Sequence, residues 1–68
     1  MIKYPYLEKW MTDHNLTQGA FARLLGVNRT TVQKLMNGIT EPKKGMIDLI
    51  LQVTGLKYEI AFAEKVVS

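Results

Sequence analysis

Apolar residues recur at helical spacing along most of this chain. Leu7, Trp10 and Met11 share one face of a first segment, about residues 6–14, which follows an irregular lead-in at residues 1–6, is introduced by Pro5 and is stopped by Asn15. A second segment, 17–25, opens on Thr17 as N-cap. It carries Ala20, Phe21, Leu24 and Leu25 at the i, i+3, i+4 spacing of a buried face until Gly26 ends it. A third, 28–36, opens on Asn28, buries Val32, Leu35 and Met36, and ends at Asn37-Gly38, residues able to take the left-handed conformation. Pro42 blocks any continuation, and a fourth segment, 45–54, is apolar at Met46, Ile47, Leu49, Ile50, Leu51 and Val53 before Gly55. That is more apolar circumference than a surface helix needs, so part of it is expected to face a partner chain.

After Gly55 the period changes. Leu56, Tyr58, Ile60 and Phe62 alternate with Lys57, Glu59, Ala61 and Ala63, which is strand patterning. A lone strand cannot satisfy its own backbone, so residues 56–63 are expected to pair with the same strand of a second copy, with Leu56, Tyr58, Ile60 and Phe62 as the dimerisation residues. A fifth helix with Leu56, Ile60, Ala63 and Val67 on one stripe is the alternative, and residues 65–68 either continue the strand or fray. The fold class is thus all-α, four helices plus a C-terminal strand or fifth helix, in one domain over 1–68.

The short connection at Gly26-Val27 forces the second and third segments to cross steeply, as in a helix-turn-helix. Opposite its apolar stripe the third segment carries Arg29, Thr30, Gln33 and Lys34, the hydrogen-bonding types that read base edges when a helix enters the major groove by its N-terminal end. A solvated amphipathic helix would also have a charged outer face.

Thr17-Gln18, Ala22, Leu25-Gly26-Val27, the polar run from Asn28 to Thr31, Val32 and Asn37-Gly38 together resemble the DNA-binding domain of the lambda-repressor and Cro-like (XRE) helix-turn-helix family, over about residues 7–56. The resemblance implies a prokaryotic or phage domain that binds double-stranded operator DNA as a symmetric dimer, with residues 28–34 as recognition helix. By matched position, Arg29, Thr30 and Lys34 would read bases, with Gln33 and Thr31 as secondary base or phosphate contacts. Thr17, Gln18, Asn28, Asn37, Lys43 and Lys44 would hold phosphates. Where many relatives pair an Arg with a Glu, this chain has Met11 and Met36, which are expected to touch. The tail is similar to that of antitoxin repressors in kinase-type toxin-antitoxin pairs, which dimerise through a short C-terminal strand. A toxin partner is therefore an alternative to a free-standing repressor, as is a protein-interaction module without specific DNA binding.

Charge sharpens this picture. Residues 17–45 hold five cations, Arg23, Arg29, Lys34, Lys43 and Lys44, against Glu41 alone, while the rest of the chain holds four cations and five carboxylates. The basic excess sits where a phosphate-facing surface needs it. Chemistry is poorly supported: there is no cysteine, and the single histidine, His14, reads as a surface residue in a last helical turn. We expect no catalytic residue, metal or cofactor. No apolar run is long enough to span a membrane and the N-terminus lacks a signal-peptide layout, so a cytoplasmic location is expected. Trp10, with apolar partners at helical spacing, reads as a core anchor.

Overall fold

A computed structural model describes residues 2–66, in which five helices and no strand occur: α1 (Pro5–Asp13), α2 (Gln18–Leu25), α3 (Arg29–Met36), α4 (Lys44–Thr54) and α5 (Tyr58–Ala61). Their starts and stops have local causes. Pro5 supplies the first position of α1, where a missing N–H costs nothing. Thr17 caps α2, its Oγ1 accepting the Ala20 N–H at 3.1 Å. The first three helices end alike, on a residue with positive φ: Asn15, Gly26 and Gly38. In each case the next N–H bonds a carbonyl five residues back: Leu16 to Met11 at 2.8 Å, Val27 to Ala22 at 2.9 Å, and Ile39 to Lys34 at 2.9 Å.

These stops turn the chain sharply enough for all five helices to share one core. Leu7 and Met11 of α1, Phe21, Ala22 and Leu25 of α2, Val32, Leu35 and Met36 of α3, Ile50 of α4 and Ala61 of α5 are buried in a single cluster with Tyr4. No polar or charged residue except the Tyr4 phenol is among the buried described residues. Met11 and Met36 both lie in this cluster, so the core carries no ion pair at their positions. Helix α2 packs on α3 and α4, and α5 on α1 and α4. Trp10 is half-buried, 5.8 Å from the Phe21 ring, and stacks on His14 at 4.0 Å. His14 itself is exposed, its Nδ1 2.8 Å from the Trp10 carbonyl oxygen.

Four expectations need correction. Residues 56–63 do not form a strand: Tyr58–Ala61 is a helical turn, and it places Tyr58 and Phe62 on one side with rings 5.3 Å apart. A single turn satisfies its backbone within the chain, and Glu59 and Ala61 are better helix formers than strand formers. The alternative, a fifth helix, is what occurs, though with a different buried face: Ile60 is exposed while Ala61 is fully covered. Val67 and Ser68, named in those alternatives, lie outside the described residues, as does Met1. Second, α1 begins at Pro5, so the lead-in is shorter than expected, and Tyr4 just before it is 4% exposed. Burial pushes the Tyr4 phenol above its ordinary pKa, with Lys3 opposing the shift and Glu64 and Glu41 adding to it. Third, Leu24 is 53% exposed, because Phe21, Ala22 and Leu25 already fill the inner face of α2. Fourth, α4 begins one residue earlier than expected, making Lys44 its first residue and Lys43 its N-cap.

Candidate nucleic-acid interface

The orientation of α3 follows from which of its residues the core takes. With Val32, Leu35 and Met36 buried, 3.6 residues per turn point Thr30, Gln33 and Lys34 away from the protein. Arg29 falls on the edge toward α2 and Thr31 on the edge toward α4, and all five of these polar residues are exposed. Both edges are concave. On the α2 side, Arg29 meets the start of α2 in a cleft of about 450 Å³ lined by Thr17, Gln18, Gly19 and Arg29. The Arg29 stem passes over Gly19 at ordinary contact distance, its Cδ 3.7 Å from where a β-carbon there would stand. On the α4 side, Thr31 and Leu35 line a depression with Thr40, Glu41, Pro42, Lys43 and Met46, so this edge holds one carboxylate beside its lysine.

Two backbone features add to the chemistry of this face. The Thr17 hydroxyl is engaged in capping α2, whereas neither Asn28 at α3 nor Lys43 at α4 makes a side-chain cap hydrogen bond. The first turns of α3 and α4 therefore keep N–H groups that no capping side chain occupies, and such groups favour an anion. Residues 14–40 contain no Asp or Glu, so nothing on α2, α3 or the turn between them opposes a phosphate.

The residues singled out from sequence are distributed around α3. Thr17, Gln18, Asn28 and Arg29 gather on the α2 side, and Thr31 and Lys43 on the α4 side. Asn37 is set apart from both, in a hollow with Ile2, Lys3, Gly38 and Glu64 beyond the end of α3. Lys44 is exposed at the first turn of α4. Leu56 is half-buried against the core, Phe62 packs its ring edge-on to Tyr4 at 5.2 Å, and Tyr58 and Ile60 remain exposed. One residue passed over by the motif is Arg23, which lines the same hollow as Asn28 and Arg29. Its membership in the basic run was the available signal.

A stiff helix whose polar outer face carries no carboxylate can meet base edges with its middle and phosphates with its flanks. The acid-free groove on the α2 side suits phosphate best, since the one on the α4 side holds Glu41 with Lys43. Among the described residues no group of three or more His, Cys, Asp or Glu could hold a metal, and no helix is long and apolar enough to cross a membrane. A family model described as helix-turn-helix matches residues 7–60. No curated protein and no solved structure matches the chain significantly.

Proposed function

The chain belongs to the lambda-repressor-like helix-turn-helix family of DNA-binding transcriptional regulators, and on that premise we propose that it is a repressor binding a pseudo-palindromic operator as a homodimer. What carries this reading is the outer face of α3, where Thr30, Gln33 and Lys34 project from a helix whose opposite side is locked into the core. Arg29 grips a guanine through O6 and N7, Lys34 adds an acceptor contact, and the Thr30 methyl meets a thymine methyl. Gln33 and Thr31 support them. Thr17, Gln18, Asn28, Asn37, Lys43 and Lys44 position phosphates, joined by Arg23. Repression follows from promoter occupancy in the cytoplasm and requires no cofactor.

Dimerisation has separate support. Leu49 on α4 and Tyr58 and Ile60 on α5 stay exposed although α4 and α5 pack together, which leaves apolar surface for a second copy. Two-fold related recognition helices then match two half-sites about one helical turn apart. The antitoxin reading leaned on a strand-like tail, and a helical α5 removes that support.

The test is enrichment of a random duplex pool on the purified protein at roughly physiological salt. A two-fold symmetric motif is the expected result. Retention of DNA without any enriched sequence would reduce the protein to a nonspecific binder, and retention of none would move its function to a protein partner.

A further inference from the structure

The N-terminal segment is tied to the far end of α3. The Lys3 N–H donates to the carbonyl of Met36, the last residue of α3, at 2.7 Å. The Lys3 side chain covers Gly38, where an added β-carbon would meet its Cδ at 3.0 Å and its Cβ at 3.6 Å. The Lys3 ammonium lies over the Tyr4 ring, 5.7 Å from its centroid. Tyr4 is itself buried and meets the edge of Phe62 at 5.2 Å, and Phe62 in turn lies beside the exposed Tyr58. Contacts thus run without a break from the surface of α5 through Phe62 and Tyr4 to the last carbonyl of α3.

We propose that Lys3 and Tyr4 are positioning residues for DNA reading, a clasp that fixes the C-terminal end of α3 to the tail and lets the tail set how α3 enters the groove. This rests on α3 being the reading helix. The core holds α3 along its buried stripe, but rotation about that stripe is resisted at its ends. At the N-terminal end the short turn from α2 does so. At the C-terminal end the chain leaves through an exposed loop, residues 38–41, and the Lys3 hydrogen bond to Met36 adds a backbone restraint to the burial of the Leu35 and Met36 side chains. A partner seated on Tyr58 and Ile60 would therefore act on base reading through Phe62 and Tyr4 and not only through dimer geometry.

The experiment compares affinity for the enriched duplex with affinity for unrelated duplex, at one salt concentration, in full-length variants. Lys3→Pro deletes the N–H that reaches Met36, whereas Lys3→Ala keeps it and removes only the side chain. Phe62→Leu keeps apolar volume beside Tyr4 and removes the ring edge. Lys3→Pro and Phe62→Leu should each lower the specific-to-nonspecific ratio roughly five- to tenfold. Nonspecific affinity and its salt slope should stay unchanged, and Lys3→Ala should remain within about twofold of the parent. A merely stabilising role would instead lower both affinities in step with the folded fraction, and that result, or an unchanged ratio in folded variants, overturns the proposal. Should Lys3→Pro not fold, Phe62→Leu decides. Arg29→Ala, measured alongside, separates the two levels. If it shifts the ratio and the clasp variants do not, only the clasp fails; if it leaves the ratio unchanged, the assignment of α3 as reading helix fails and takes the clasp with it.

Discussion

Arg29 of α3 lies across Gly19 in the first turn of α2, its Cδ 3.7 Å from where a Gly19 β-carbon would stand. That is an ordinary van der Waals separation, so a methyl group fits without moving the arginine. Glycine costs a helix conformational entropy, and Gly19→Ala should raise stability by roughly 0.5 kcal/mol, the low end of the range because the site is in a first turn. Urea titration checks the gain, and affinity for DNA should be kept.

Gly38 should behave in the opposite way. Its φ of 74° is left-handed, and an added β-carbon would press on Lys3 Cδ at 3.0 Å. The flexible lysine can yield, but the backbone conformation cannot be made favourable for alanine. Gly38→Ala should therefore cost about 1 to 2 kcal/mol in thermal or urea unfolding.

Thr17 isolates the value of a cap. Its Oγ1 accepts the Ala20 N–H, and it is otherwise exposed, so replacement disturbs little packing. Thr17→Ala should lower stability by about 1 kcal/mol, with Thr17→Ser or Thr17→Asp restoring most of it. Loss of DNA affinity in Thr17→Ser beyond that of the parent would show that the methyl group, and not the cap, matters at the interface.

Tyr4 predicts an alkaline effect with a definite sign. Because burial raises its pKa in the folded protein, the folded state holds the phenolic proton more firmly than the unfolded chain does. The associated stability is complete below the unfolded value, about 10, and is lost as pH rises from there through the folded value. The stability of the parent relative to Tyr4→Phe should thus fall as pH rises above about 10. A difference that stays constant to the alkaline limit would contradict the burial of this phenol.

Much of this was legible in the residues. Thr17, Gly26, Asn28 and Gly38 mark the ends of α2 and α3 through backbone requirements that act locally, and the placement of Val32, Leu35 and Met36 fixes which way Arg29 to Lys34 face. The tail was legible only as a choice between strand and fifth helix, since four residues of helix give no period that distinguishes them from alternation, and tertiary contact of Phe62 with Tyr4 decides their state. Tyr4 was hidden for a related reason: its ring partner, Phe62, lies at the other end of the chain. Leu24 shows the converse limit, as spacing alone puts it on the inner face although Phe21, Ala22 and Leu25 leave it no room. The hollow holding Arg23 with Asn28 and Arg29 forms only when α2 and α3 cross.

The central claim is that α3 reads base edges from its N-terminal half, with Arg29 as one reader. Its most direct test is duplex enrichment carried out in parallel on the parent and on Arg29→Ala, with the two motifs compared base by base. Loss of preference at one position in each half-site, the others retained, at a cost of about 1 to 3 kcal/mol on the parent sequence, is the predicted result. A motif unchanged by the substitution, or weakened evenly at every position, would contradict it.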